Sequence, residues 1–184
     1  MAGLRVPSVT QVLEAVGISD YSAVPSDRLT YAQNLGTAVH QATEAYDQDD
    51  LDFASVAGTV VEPYVEAWSK FRRDMEFAPR LIESRGVAVT PTGPRYGYCV
   101  DREGDLDGAP AVLDIKTGEF SRSWGVQLAA YEEALFLRDG QRRRRTVVRL
   151  LADGNFKIVD FTDTRDMDVW RWALALETWK QNAA

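Results

Sequence analysis

The chain has 184 residues, with 21 basic and 28 acidic side chains and a formal net charge of −7 at pH 7. Its length and its hydrophobic content of 45% predict a globular protein with a sizeable core. No apolar run is long enough to span a membrane, there is no P-loop segment, and a single cysteine excludes both an internal disulfide and a four-cysteine iron–sulfur cluster. The lone cysteine and the absence of a signal-peptide pattern predict a cytoplasmic protein.

Hydrophobic spacing and turn residues predict a helical first part, 1–79, and a sheet core with two helices, 80–184. Helices are predicted at about 10–16, 29–46, 53–77 (broken near Pro63), 124–138 and 164–180. Strands are predicted at about 81–89, 96–103, 111–116, 146–151 and 156–161. We expect one α/β domain over 1–184, with a central mixed sheet, an antiparallel hairpin core, flanking helices and an N-terminal helical layer.

A tight hairpin is predicted at Asp107-Gly108, because both residues tolerate the positive φ of a two-residue turn. Continuing that ladder places Asp101 opposite Asp114, with Cβ atoms about 4.5–5.5 Å apart. A bulge at Glu103-Gly104 would shift this register. Two carboxylates held so close repel each other unless a cation neutralises them, which indicates a site for a hard divalent ion.

The strand that contains Asp114 supports the same interpretation. Asp114 interrupts an apolar run, where an unpaired carboxylate would be costly. Lys116 projects to the same face of the strand as Asp114, since side chains alternate. Its ammonium group would therefore lie beside the metal, where it could stabilise developing negative charge or help to position a water molecule.

Four motifs in order resemble those of the PD-(D/E)XK nuclease superfamily, RecB-like exonuclease branch. They are GTAVHQATE at 36–44, Asp101-Arg102, Asp114-Ile115-Lys116, and Gln127-x-x-x-Tyr131. The opening segment VPSVT at 6–10 is also similar to small phage-type members and to the mitochondrial genome maintenance exonucleases.

The resemblance implies a metal-dependent nuclease that hydrolyses DNA phosphodiester bonds, with an exonuclease on single strands or DNA ends favoured. Recombination, repair or phage replication would be its setting, in a bacterial or phage-infected cell. The implied catalytic residues are Asp101, Asp114 and Lys116. The implied ligands of Mg²⁺ or Mn²⁺ are His40, Asp101, Asp114 and the Ile115 carbonyl; the implied DNA-binding residues are Gln127 and Tyr131.

Three alternatives stay open: a structure-specific endonuclease of the same superfamily, an inactive DNA-binding or regulatory protein, and a metalloprotein that acts on nucleotides. The acidic net charge favours the second, because nucleic-acid binders are commonly basic. The resemblance also leaves open the oligomeric state and any partner proteins from recombination or replication.

Several further residues have two interpretations. Glu44 and Glu83 are either surface acids or neighbours of the metal, and relatives often carry an acid near the position of Glu83. The arginine run 142–145 either follows phosphates or is a solvated loop and strand start. For the tryptophans of the last helix we expect packing against the sheet rather than base stacking: Trp170, Trp172 and Trp179.

Overall fold

The computed structural model describes residues 6–182, so the first five and last two residues of the predicted domain lie outside it. Its helices are α1 Val9–Ala15, α2 Ser26–Asp47, α3 Phe53–Val56, α4 Glu62–Asp74, α5 Ser123–Asp139 and α6 Arg165–Asn182. Its strands are β1 Ala78–Val89, β2 Arg95–Leu106, β3 Ala109–Lys116, β4 Arg144–Leu150 and β5 Phe156–Asp160.

The five strands form one mixed sheet in the order β1-β2-β3-β4-β5, which confirms the predicted α/β architecture. The pair β3 and β4 is parallel, and the other neighbours are antiparallel. A parallel pair needs a crossover connection, and α5 supplies it. The carboxyl ends of β3 and β4 therefore meet at one edge of the sheet.

Helices cover both faces of the sheet. On the first face, α1, α5 and α6 enclose a core that includes Leu13, Leu128 and Trp170. On the second face, α2 and α4 enclose a core that includes Trp68 and Phe71. Strand β3 contributes to both cores because its side chains alternate between the two faces. Val112 belongs to the first core, whereas Leu113 and Ile115 belong to the second.

The predicted hairpin turn is confirmed, because Asp107 and Gly108 have φ values of 54° and 75°. The predicted register is also confirmed between the pairs Leu106–Ala109 and Arg102–Leu113, without a bulge. The ladder then stops, and Asp101 and Asp114 do not pair as we expected. Instead, the carboxylate of Asp101 accepts a hydrogen bond from the backbone N–H of Ile115 at 2.7 Å. This side-chain bond replaces a ladder bond.

The break predicted near Pro63 is confirmed, because residues 53–74 form the two helices α3 and α4, and Pro63 occupies the first turn of α4, where its missing N–H is tolerated. Helix α4 ends at Asp74, three residues before the predicted end. Pro79 lies near the start of the edge strand β1, a position where a strand tolerates proline. The residue that precedes α5 is Arg122, and its side chain makes no capping hydrogen bond.

The tryptophans of α6 do not share one environment. Trp170 is fully buried against Tyr96, as expected. Trp172 and Trp179 are 71% and 67% exposed, so the expectation that they pack on the sheet is wrong. They lie on the opposite side of the helix from Trp170 and Leu174. Among residues 6–182, no helix is long and apolar enough to cross a membrane.

We expect Gly104→Ala to destabilise the fold. A Cβ at this β2 position would overlap the carbonyl oxygen of Ala78 and lie 2.8 Å from the ring of Phe77. Because backbone cannot move aside cheaply, the free energy of unfolding should fall by about 1–3 kcal/mol. Urea unfolding measures this, with Gly118→Ala as the control, since a Cβ there meets nothing within 4 Å. Equal stability of the two variants would contradict the packing described.

Candidate metal and catalytic site

The site forms where β2 and β3 stop pairing, at the carboxyl end of β3. Helix α2 packs against this end of the sheet and carries His40, whose Nε2 lies 3.0 Å from the carbonyl oxygen of Ile115. The N-terminal helical part therefore brings His40 to β3, although they are distant in sequence. This matches the position that the sequence predicts for the histidine.

Three possible ligand groups surround the same small volume. Atoms of His40, Glu83 and Asp101 all lie within 4.8 Å of one another. The Nδ1 of His40 is 3.6 Å from Asp101 Oδ2 and 3.8 Å from Glu83 Oε1. The negative charge of Asp101 is the main cause that raises the pKa of His40 to about 9, against the opposing effect of burial. Without a metal, the imidazole is thus a cation between two carboxylates.

Glu83 was not among the predicted ligands, and its backbone is unusual. Its φ is 48°, in the left-handed region that side chains rarely adopt, although it lies inside β1. The pairing of β1 with β2 skips both Glu83 and Asp101. Such strained residues are concentrated at functional sites. The sequence analysis named Glu83 only as a possible neighbour of the metal, and the stronger signal for it is an acid inside an otherwise strand-like segment.

Asp114 and Lys116 form the second part of the site. Asp114 is 1% exposed, and burial is the main cause that raises its pKa to about 6. The Nζ of Lys116 lies 2.7 Å from Asp114 Oδ2. Even so, that oxygen has no well-aligned hydrogen bond within residues 6–182, so the contact is an ion pair of imperfect geometry. Burial opposes the charge of Lys116, but the attraction of Asp114 and Asp101 outweighs it and raises the pKa of Lys116.

Beneath the acids lies a buried cation, Arg102. Its guanidinium has no exposure and donates to Asp47, to Glu83 and to the backbone oxygen of Asp101, at 2.5, 3.4 and 2.6 Å. It also contacts the hydroxyl of Thr43 at 3.4 Å. Sequence reasoning recognised Arg102 only as a neighbour of Asp101 and missed this role, because its partners are distant in sequence.

These contacts explain how α2 is positioned. Thr43 and Asp47 are three and seven residues after His40, so all three lie on one side of the helix. Arg102 contacts Thr43 and Asp47, and Asp47 also accepts hydrogen bonds from Arg72 and Trp68. His40 lies on the same helix face, one turn before Thr43, and faces the carboxylates of Glu83 and Asp101.

A cleft of about 980 Å³ opens over the site between α2, the segment that precedes it and the β3–α5 loop. The residues of the site that line it are His40, Glu83, Ile115, Lys116 and Gln127. Tyr131 is buried, lies outside this lining and accepts a hydrogen bond from Gln127 at 2.9 Å. Gln127 is thus placed to meet a ligand, and Tyr131 is placed to orient Gln127. Glu44 also lines the cleft.

The guanidinium groups of the arginine run 142–145 are already paired with carboxylates and are not free to bind a ligand. Each of its four guanidinium groups is paired with carboxylates of neighbouring elements, at 2.5–3.3 Å. Arg143 is buried between Glu103 and Asp139. Of the two interpretations of this run, the structure favours a stabilising role at the start of β4.

The donor set fits a divalent cation. It combines carboxylate oxygens, the backbone oxygen of Ile115 and one imidazole, a set that suits Mg²⁺ or Mn²⁺. The Asp114 oxygen that lacks a well-aligned hydrogen bond within residues 6–182 is an acceptor available to a cation, and burial raises the pKa of this carboxyl group. The structure groups His40, Glu83 and Asp101 most tightly, with Asp114 beside them, whereas the sequence predicted His40, Asp101, Asp114 and Ile115.

Comparison with known proteins identifies the fold. The crystal structure of a candidate exonuclease from Eubacterium rectale is similar, with a TM-score of 0.58 and 10% sequence identity over 93% of this chain and 71% of that one. A second solved structure, SSO0001, has 12% identity over 94% of this chain and 83% of that one, but its TM-score of 0.41 adds nothing to the assignment. No protein-family model and no curated protein matches the chain.

We expect Mn²⁺ to stabilise the protein against heat, because it would neutralise the clustered carboxylates. At a hundredfold excess over Kd the gain is about 2.7 kcal/mol. Asp101→Asn should weaken the affinity for Mn²⁺ at least about tenfold, as expected for loss of a charged ligand. Calorimetric titration and thermal unfolding with Mn²⁺ or EDTA measure both effects. Asp50→Asn, an exposed control, should respond like the unmodified protein. An unchanged response of Asp101→Asn would contradict the assignment.

Arg102→Met should be strongly destabilising, because it leaves buried carboxylates without their cation. The expected loss is about 3–5 kcal/mol of unfolding free energy. Arg102→Lys should recover only part of it, since an ammonium group lacks the planar set of donors. Arg73→Met removes an exposed arginine of α4 and should change stability by less than about 0.5 kcal/mol. Equal urea midpoints for Arg102→Met and Arg73→Met would refute the role given to Arg102.

Proposed function

We propose that the protein is a metal-dependent deoxyribonuclease of the RecB-like branch of the PD-(D/E)XK superfamily, which hydrolyses DNA phosphodiester bonds. The observation that carries this proposal is the convergence of His40, Glu83 and Asp101 near the end of β3, beside the ion pair of Asp114 and Lys116, with His40, Glu83 and Lys116 lining an open cleft. The four sequence motifs and the fold shared with a candidate exonuclease support it.

In this proposal the acidic residues bind the metal and Lys116 binds the phosphate. Asp101 and Asp114, with His40, Glu83 and the Ile115 carbonyl, would hold Mg²⁺ or Mn²⁺. A bound cation of this kind polarises a phosphodiester and lowers the pKa of an attacking water. Lys116, held by Asp114, presents its ammonium group to the cleft, where it can bind a phosphate oxygen and stabilise the negative charge that develops there. Gln127 offers a neutral hydrogen-bonding group on the cleft wall for the DNA strand.

An exonuclease acting on single strands or DNA ends is the favoured form. The cleft has few cations among its lining residues, which suits a short contact with a strand end better than a long double-stranded contact. DNA recombination, repair or phage replication in the cytoplasm is the corresponding setting.

The test is the degradation of end-labelled single-stranded and duplex DNA with Mg²⁺, Mn²⁺ or EDTA. We expect metal-dependent cleavage that falls about 10²–10³-fold or more in Lys116→Ala, because a charge-stabilising group is lost. Asp114→Asn should be similarly impaired. Lys157→Ala, an exposed lysine on β5, is the matched control and should retain full activity. The order in which labelled ends are released gives the polarity.

Circular DNA separates the forms of the proposal. An exonuclease leaves covalently closed circles intact, whereas cleavage of circles would assign a structure-specific endonuclease. If no linear or circular DNA is cleaved by folded protein that shows the stabilisation by Mn²⁺, the nuclease proposal is wrong and a binding or regulatory role takes its place. Turnover of mononucleotides alone would instead indicate a nucleotide-directed metalloprotein.

A further inference from the structure

The cleft is short of positive charge for a site that would bind phosphates. Its charged lining consists of four acids and, apart from His40, two cations: Glu14, Glu44, Glu83, Glu119, Arg85 and Lys116. Arg85 faces Glu83 at 3.9 Å, and Lys116 is paired with Asp114. A phosphodiester chain bound here therefore needs a further cation, and the elements beside Lys116 are the place to search for it.

Arg149 lies in that place. It is the register partner of Lys116 in the parallel pair β3 and β4, so its Cα is roughly 4.8 Å away across the sheet. Val147, two residues before Arg149, belongs to the same core as Val112 on β3. By alternation, Arg149 therefore projects to the same sheet face as Asp114 and Lys116. Ligands of open α/β sheets bind beyond the carboxyl ends of the strands, which is where both cations stand.

The contacts of Arg149 distinguish it from the other arginines near the sheet. Its one ion pair is with Glu119, at 2.6 Å, and Glu119 is 90% exposed in the loop between β3 and α5. The Nε of Arg149 is buried and has no hydrogen-bond partner among residues 6–182. By contrast, Arg102 and Arg143 contact buried carboxylates. Glu119 is solvated and can leave the pair at little cost, whereas the guanidinium of Arg149, with its side chain only 17% exposed, then needs another anionic partner.

Resting on the proposed function, we infer that Arg149 is a phosphate-binding residue of the same site, and that Glu119 occupies its guanidinium until the substrate arrives. Carboxylates and phosphates both accept paired hydrogen bonds from guanidinium, so a phosphate of the bound strand can replace the Glu119 carboxylate. Because Glu119 itself lines the cleft, its release also removes a negative charge from the path of the strand. Lys116 and Arg149 together would then hold neighbouring phosphate oxygens.

The experiment measures kcat and KM for a labelled single-stranded oligonucleotide across a range of salt concentrations. We expect Arg149→Gln to raise KM about tenfold, as for a lost charge-assisted contact. It should also reduce the slope of log affinity against log salt by about 0.7, the amount for one phosphate contact on a single strand. Glu119→Gln should lower KM about two- to threefold, because it frees the guanidinium. In an Arg149→Gln background, Glu119→Gln should lower KM less than it does alone, because only the loss of its negative charge from the cleft remains.

Controls separate this inference from folding defects and from the proposed function. Arg165→Gln removes an exposed arginine that does not line the cleft and should leave KM and the salt slope unchanged. Glu119 is exposed, so Glu119→Gln keeps the test valid even if Arg149→Gln folds poorly. If the unmodified protein cleaves DNA and the Arg149 and Glu119 variants match it in KM and slope, the inference is wrong while the proposed function stands. If the unmodified protein cleaves nothing, both are wrong.

Discussion

Arg102 is a fully charged side chain without solvent exposure, and the geometry of the site depends on it. Bringing a guanidinium out of water costs several kcal/mol, and only a complete set of partners offsets that cost. Its planar donors reach three directions at once: the end of α2 through Asp47, strand β1 through Glu83, and its own strand through the Asp101 carbonyl. A lysine could not bond all three. The helical layer and the sheet are thus joined through the residue next to a candidate ligand.

Arg102 also follows a break in the side-chain alternation of strand β2. In a regular strand, Val100 and Arg102 would point to the same face, but Val100 packs in the core under α5 while Arg102 points to α2 and α4. The alternation therefore breaks at Asp101, the position that β1 and β3 both leave unpaired. This break lets the Asp101 carboxylate turn toward the open end of the hairpin. Glu83, opposite the break, takes its left-handed conformation at the same point.

The turn and the hairpin register were predictable because they depend on neighbouring residues. Asp107-Gly108 needs positive φ, and a two-residue loop permits one pairing. The end of that pairing was not predictable, since the contacts of Arg102 with Asp47 and Glu83 are tertiary effects. For the same reason the sequence showed the arginine run 142–145 without showing its partners, and could not separate buried Trp170 from exposed Trp172. The prediction that His40 lies near Asp101 came from its motif rather than from any local pattern, and in the structure its Nδ1 lies 3.6 Å from the Asp101 carboxylate.

Two kinds of strand connection combine to make the candidate site. The antiparallel hairpin brings Asp101 and Asp114 to one end of the sheet from residues that are close in sequence. The parallel crossover through α5 then leaves the carboxyl ends of β3 and β4 side by side. The chain leaves β3 there as the loop that leads to α5. The hairpin acids Asp101 and Asp114 therefore lie close to Lys116 and Arg149, the cations at the ends of β3 and β4. An acidic chain can in this way keep two cations at this end of the sheet, while other arginines, among them Arg102 and Arg143, stabilise the fold as paired ions.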